Sequence, residues 1–263
     1  MKVQYLLPGL LPNLSLEGMI AESLEFIRNH EPPEGYFVGF SGGKDSIVTL
    51  KLCKMSGVQF RAYYSCTRLE YPGMYKFIRG NYPEVEWLFP EESVYSLIRR
   101  KGPPYRKFRW CCDVLKKDPS MEIPLKHRVF GIRAEESRMR AARGRIYTNH
   151  RYHIINYHPI FHWKEWHVWN FIDQYSLPYP KLYDEGFSRI GCIICPFNTG
   201  KSSHKVRERE FSYRKYPKLW ELYGKAVKDY MLRRIERVKG TEKEQRVTMS
   251  PDEFWEAWKN GFE

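Results

Sequence analysis

No stretch of the sequence approaches the ~18 consecutive apolar residues that a membrane-spanning helix requires. The opening MKVQYLLPGLLPNLSLEG carries one early lysine, but its apolar part is short, is broken by Pro8 and Pro12 and ends in no cleavage site. Neither a membrane span nor a secretory leader is expected, and a cytoplasmic protein is. Acidic residues are also in short supply: 31 Asp and Glu face 44 Lys and Arg, for a net charge of +13 and a pI near 9.4. That imbalance predicts a polyanionic partner, either nucleic acid or a phosphate-rich small molecule, unless it only reflects a surface dense in Lys, Arg and Glu. Internal repeats and low-complexity linkers are missing as well. What is plentiful is aromatic and apolar material: 15 Phe, 19 Tyr, 8 Trp and 42% hydrophobic residues. A chain of 263 residues with that content buries a core and makes one generous domain, alone or with an appended lobe. Its six cysteines, in a reducing compartment, are not expected to form disulfides.

Residues 15–30, SLEGMIAESLEFIRNH, place Leu16, Met19, Ile20, Leu24 and Ile27 at helical spacing with Ser15 as N-cap, and EPPEG ends that helix. Short apolar strands are predicted at YFVGF (36–40), FRAYYS (60–65), VEWLF, RVFGI (128–132) and within RYHIINYHPI. Helical patterns fall between them, after the glycine loop and at YPGMYKFIRGNYP. Such alternation predicts an α/β fold, a mostly parallel twisted sheet flanked by helices. Beyond residue 163 come an aromatic helix, WKEWHVWNFIDQY, a loop-like passage, and basic helices near 204–216 and 217–238. The tail SPDEFWEAWKNGF opens with a capping box, Ser250 with Glu253 and Pro251 at the first helical position, and sets Phe254 and Trp258 on one face. The expected division is an N-terminal helical extension (1–34), an α/β domain (35–200) and a basic helical C-terminal subregion (201–263).

Residues 40–46 read FSGGKDS. Gly42 and Gly43 permit backbone amides to converge on an anion, and the helix starting near Lys44 aims its N-terminus at the same point. Ser41 and Ser46 add hydroxyls, Lys44 a charge, and Asp45 a ligand for Mg²⁺. The Walker spacing G-x-x-x-x-G-K-[ST] is absent, which removes the motor-type loop; a tight strand–helix turn without ligand is the plain alternative. The loop resembles the S-G-G-x-D-S signature of the PP-loop ATP pyrophosphatases and adenylyl-sulfate reductases, whose fold is termed adenine nucleotide α-hydrolase-like. That resemblance implies a nucleotide whose α–β phosphate bond is split, or a bound sulfonucleotide.

Cys111 and Cys112 are adjacent, and Cys192 and Cys195 form C-x-x-C some eighty residues later. Adjacent cysteines suit zinc poorly, since its ligands are usually two to four residues apart, whereas a cubane has four corners to ligate. From the residues alone, iron–sulfur, zinc and buried thiols all stay open. CCDVLKK followed by RIGCIICP is similar to the two-part [4Fe–4S] signature of the phosphoadenylyl/adenylyl-sulfate (PAPS/APS) reductase family. The resemblance implies Cys111, Cys112, Cys192 and Cys195 as cluster ligands, with Lys116, four residues after the second cysteine, close to the cluster. Cys53 is expected in the core; Cys66, after the second strand, is a bystander or an active-site thiol.

GIRAEESRMR at 131–140 looks like the family's G-x-R-x-x-x-S-x-x-R motif, carried by Gly131, Arg133, Ser137 and Arg140. It implies a guanidinium clamp on phosphate. His150, His153, His158, His162 and His167 cluster without repeated ligand spacing and are expected in aromatic packing or at the surface. Family reductases act through a cysteine on a C-terminal tail, and no cysteine follows Cys195 here. The expectation therefore shifts toward relatives that use ATP to activate nucleic acid, nearest in kind to the PP-loop component of Dnd- and Ssp-type DNA phosphorothioation systems. In that reading Ser41, Gly42, Gly43 and Ser46 cradle pyrophosphate, Lys44 offsets its charge and Asp45 holds Mg²⁺. Arg133 and Arg140 grip the far phosphates or the acceptor. DNA ranks ahead of RNA as acceptor, and a cysteine desulfurase and other sulfur-modification proteins are expected partners, with homo-oligomers allowed. The alternatives are a PAPS or APS reductase with an atypical nucleophile, a tRNA-thiolating enzyme, or a non-catalytic nucleic-acid-binding module. RRKGPPYRKFRW, RMRAARGR and KSSHKVRER are the basic runs that would meet a polyphosphate, with Tyr105, Phe108 and Trp110 interleaved for base stacking or simple packing.

Overall fold

A computed structural model of the chain describes residues 15–198 and 203–262. The leader expectation for residues 1–14, and the first residues of KSSHKVRER, lie outside them. In chain order the elements begin α1 (Leu16–Asn29), β1 (Tyr36–Gly39), α2 (Lys44–Ser56), β2 (Phe60–Ser65), α3 (Pro72–Asn81) and β3 (Glu86–Leu88). Next come α4 (Val94–Lys101), α5 (Trp110–Cys112), a π-helical turn (Asp113–Lys117), α6 (Asp118–Met121) and β4 (His127–Phe130). The remainder is α7 (Arg138–Ala141), β5 (Ile146–Asn149), β6 (Ile154–Tyr157), α8 (Glu165–Gln174), α9 (Ser203–Lys215), α10 (Pro217–Val238) and α11 (Pro251–Lys259). They form two compact, interleaved units. The first takes residues up to Tyr64, Pro72–Leu88 and Ile123–Arg189; the second takes Ser65–Tyr71, Phe89–Glu122 and the chain from Ile190 on.

The first unit is built on a six-stranded sheet in the order β3-β2-β1-β4-β6-β5. β1 pairs in parallel with β2 and β4, β4 in parallel with β6, and β5 runs antiparallel at the edge. β1 is buried along nearly its whole length, which explains its unbroken apolar run: a central parallel strand faces helices on both sides. Phe37 stacks on Tyr63 at 4.6 Å, and the Tyr36 hydroxyl donates to the Ile27 carbonyl of α1 at 3.0 Å. Ser15 caps α1 as its position predicts, accepting from the Gly18 amide at 3.3 Å. The buried stripe Met19, Ile20 and Ile27 seats that helix in the unit, while Arg28 Nε caps the end of α2 through the Ser56 carbonyl at 2.9 Å.

The chain leaves β1 to build β2 and β3 on one side and returns to build β4 on the other. The carboxyl ends of β1 and β4 thus lie at a topological switch point, the place where open parallel sheets leave a crevice for ligands. The two loops singled out in the sequence, 40–46 and 131–140, emerge there.

The second unit is helical. Arg99 of α4 pairs with Asp229 of α10 at 3.0 Å. Trp255 and Trp258 of α11 stack at 5.4 Å, and the Trp258 indole donates to the Pro104 carbonyl at 2.7 Å. The capping box forms as read, with Ser250 accepting from the Glu253 amide and Glu253 from the Ser250 amide. Among the described residues, no helix is long and apolar enough to cross a membrane.

Candidate functional sites

In the first unit, Gly42 takes φ +73°, a conformation open to glycine, and Gly43 caps α2. The two serine hydroxyls hold the loop's shape: Ser46 Oγ accepts from the Ser41 amide and hydroxyl, both at 3.1 Å, and donates to the Gly43 carbonyl at 2.8 Å. Lys44 is buried, and its amine donates to the Ser188 carbonyl at 2.6 Å and stands 3.3 Å from Glu165. The Tyr183 ring lies 5.2 Å below that amine, and the Tyr183 hydroxyl accepts from the Lys44 amide at 2.9 Å. Tyr183, Ser188 and Glu165 were not picked out from the sequence. They lie more than a hundred residues away, and no local pattern marks them.

Gly131 lets β4's exit press against the first turn of α2: a Cβ there would stand 2.5 Å from the Asp45 carbonyl oxygen. The close approach delivers Arg133, which is buried and donates from Nε to Asp45 Oδ1 at 2.5 Å and from a terminal nitrogen to Glu135. Burial opposes the guanidinium charge, but Asp45, Glu135 and Glu136 outweigh it and hold its pKa up. The structure therefore brings together Ser41, Gly42, Gly43, Lys44, Asp45, Ser46, Gly131 and Arg133. Ser137 caps α7, accepting from the Arg140 amide at 3.2 Å, and Arg140 is tied to Glu136 one turn back. Cys53, on α2, is fully buried, with its thiol pushed up to about 12 by burial, as a core position implies.

The cysteine pairs both belong to the second unit. Cys111 and Cys112 end the short α5 ahead of the π-helical turn. Cys192 is placed by a bridge to Glu70 and by the Ile193 amide donating to the Leu69 carbonyl at 2.7 Å. Its sulfur lies 3.7 Å from the Thr67 hydroxyl, which in turn donates to Glu70. Within the adjacent pair, the Cys111 thiol donates to Cys112. That bond, with Lys116 and Arg109, lowers Cys112 to about 6 while Cys111 is held protonated. Cys195 is raised to about 11 by burial. Lys116 keeps solvent exposure, yet Cys192, then Glu70, Cys112 and Cys195, hold its amine above the usual range. This is the lysine the sequence signature placed near the cluster.

Among the described residues no three such side chains converge as ligands of one metal ion. A single zinc needs its ligands around one centre, whereas a cubane takes one thiolate at each of four corners. Tyr223 of α10 adds an observation of the same kind. It is fully buried, its hydroxyl has no hydrogen-bond partner among the described residues, and the thiols that act on it are Cys111, Cys195 and Cys192. A sulfur-rich group bound among these thiols would offer that hydroxyl an acceptor. The donor set fits an iron–sulfur cubane.

Residues 35–198 match the model of the phosphoadenosine phosphosulfate reductase domain. An adenosine 5'-phosphosulfate reductase of Bacillus cereus is 33% identical over 172 residues, covering 61% of this chain and 73% of that protein. An uncharacterized protein of Methanocaldococcus jannaschii is 33% identical over 225 residues, 79% of this chain and 45% of the relative. The chain spans about half the length of that protein and of a second from the same archaeon. The crystal structure of phosphoadenylyl-sulfate reductase from Candida auris in a phosphate complex superposes with a TM-score of 0.53 at 18% identity, over 68% of this chain and 96% of that one.

Proposed function

The chain belongs to the phosphoadenosine phosphosulfate reductase domain family, a family of enzymes, and on that footing we propose that it is an ATP pyrophosphatase releasing AMP and pyrophosphate. In this reading it works in sulfur transfer to nucleic acid, DNA phosphorothioate modification first, in the cytoplasm and beside a cysteine desulfurase. The observation that carries it is Asp45. A carboxylate on the first turn behind a phosphate loop repels phosphate unless a cation stands between them. Arg133 holds one of its oxygens, and the other, 3.9 Å from the Lys44 amine, faces a partly exposed site. Mg²⁺ binds through one or two carboxylates plus substrate phosphates, which suits Mg²⁺–ATP at this carboxylate. The loop amides and Lys44 would hold the pyrophosphate end and Arg133 the α-phosphate side. Cys111, Cys112, Cys192 and Cys195 would hold the [4Fe–4S] cluster, with Lys116 offsetting its charge. When bound, the cluster supplies a redox-active, sulfur-containing centre.

Anaerobically prepared protein given ATP and Mg²⁺ is expected to form AMP and pyrophosphate, with at least a hundredfold loss in Asp45→Asn. ADP and phosphate as products, or an unimpaired Asp45→Asn, would overturn the reading. The likeness to the Bacillus reductase favours one alternative, reduction of a sulfonucleotide. Sulfite release from adenylyl sulfate with thioredoxin, abolished in Cys66→Ser, would establish it instead.

A further inference from the structure

Outside both sites, the second unit carries a groove of about 380 Å³ between α4, the last turns of α10 and the loop that follows it. Five arginines and a lysine line it: Arg99, Arg233, Arg234, Arg237, Lys243 and Arg246. Among the described residues no carboxylate does. The sequence hides this, because Asp229, Glu236, Glu242 and Glu244 are interspersed with those cations. Two of the four are engaged elsewhere: Asp229 pairs with Arg99, and the Glu244 carboxylate accepts from the Gly240 amide. None of the other five cations has a carboxylate partner among the described residues. These five exposed side chains are screened by water from one another, and together they set up a positive potential along the groove that attracts an anion.

The form of the groove points to the anion. Guanidinium forks match pairs of phosphate oxygens, and arginine prevails here five to one over lysine. Arg233 and Arg237 are one turn apart, about 6 Å along the helix axis, and phosphates of one duplex strand advance about 3.4 Å per nucleotide. Four residues of helix thus span about two nucleotides of one strand, so the two guanidinium groups suit phosphates spaced along a backbone. Tyr230 and two valines supply an apolar floor on which sugars can rest.

We propose that this groove binds the phosphodiester backbone of duplex DNA and holds the acceptor of the sulfur-transfer reaction. The inference rests on the nucleic-acid reading above and gives it a place on the molecule. The groove does not include any of the three basic runs conspicuous in the sequence, beyond Arg99 at the start of one.

The test uses full-length, cluster-loaded protein and a fluorescein-labelled 20-base-pair duplex, followed by anisotropy across a salt series. The triple variant Arg233→Gln, Arg237→Gln, Arg246→Gln is expected to bind at least tenfold more weakly at 0.1 M salt. Its slope of log K against log salt is expected to fall by about three, at roughly 0.9 for each phosphate left without its arginine. A control with the same charge change at exposed positions of the other unit, Lys126→Gln, Arg151→Gln, Lys181→Gln, is expected to keep wild-type affinity. Equal binding by the groove variant, or equal loss in the control, overturns the groove. So does polyglutamate competing as well as DNA at equal charge. A hairpin RNA that binds more tightly than the duplex and is lost in the groove variant overturns DNA as the occupant. AMP formation without nucleic acid, measured on the same samples, is expected to be unchanged in the groove variant. Its absence in wild-type protein counts against the nucleotide reading and not against the groove.

Discussion

Gly131 shows how closely the nucleotide loop depends on a residue with no side chain. Its Cα lies against the first turn of α2, where the Thr49 hydroxyl already donates to the Asp45 carbonyl at 2.8 Å. A methyl group at 131 would meet that carbonyl oxygen at 2.5 Å and Thr49 Oγ1 at 2.8 Å, so backbone must move apart from backbone. Gly131→Ala is expected to cost about 1–3 kcal/mol of stability, the usual range for overpacking, and to weaken ATP binding because Arg133 recoils from Asp45 with it. Urea unfolding and equilibrium dialysis check the two effects; a wild-type urea midpoint would contradict the predicted clash. The same residues show what was readable in the sequence. Gly131, Arg133 and Asp45 sit within short motifs whose spacing survives folding. The groups that now engage Lys44, the Ser188 carbonyl and the Tyr183 ring, reach it from far along the chain and leave no local trace. Ser41 and Ser46 also shape the loop, and Ser137 caps α7, roles that short-range spacing in the sequence carries.

At the scale of elements, α11 is the clearest case of a helix that sequence logic predicts and tertiary packing needs. Its capping box sets where it starts; Trp258, almost wholly buried and bonded to Pro104, sets what it does. Trp258→Ala is expected to cost about 3–5 kcal/mol, whereas Trp258→Phe, which keeps most of the packing and leaves the Pro104 carbonyl unanswered, is expected to cost about 1–3 kcal/mol. Equal urea midpoints for the two variants would show that the hydrogen bond, not the packing, dominates. Elements with a buried core face were legible because burial imposes a long apolar run, as in β1, or a clear stripe, as in α1. β5 was not legible: it is an antiparallel edge strand whose residues stay largely exposed, so burial wrote no pattern into it. α4, only eight residues long, fell between proline-rich stretches and was equally silent. Division points at 34 and 200 follow shifts in composition and stand as a proposal about domains. The crossings between compact units near residues 65, 72, 89, 123 and 190 arise from long-range contacts that composition does not record.

For the molecule as a whole, the charge of +13 sets a direction for its response to acid. Every histidine protonated adds to an existing excess of positive charge and to the self-repulsion of the compact state. Two histidines make this sharper than the count suggests. His158 is buried with Nδ1 against the Gly144 carbonyl at 3.1 Å, and burial, helped by Arg143 and Arg140, lowers its pKa. Burial and then Arg145 lower that of His162. A ring whose folded pKa lies below its unfolded value of about 6.5 binds fewer protons when folded, so stability rises with pH through that range and is lost as pH falls through about 6.5. The thermal midpoint is therefore expected to be flat above about pH 7 and to drop between pH 6.5 and 5.5. Changing both rings, His158→Gln with His162→Gln, removes two groups that must charge on unfolding, so the drop is expected to shrink even if the plateau at pH 7.5 is lowered. The difference between variant and wild-type curves isolates the two histidines from every other titrating group. Parallel curves across pH 5.5–7.5 would assign the acid sensitivity to general charge repulsion rather than to these buried rings.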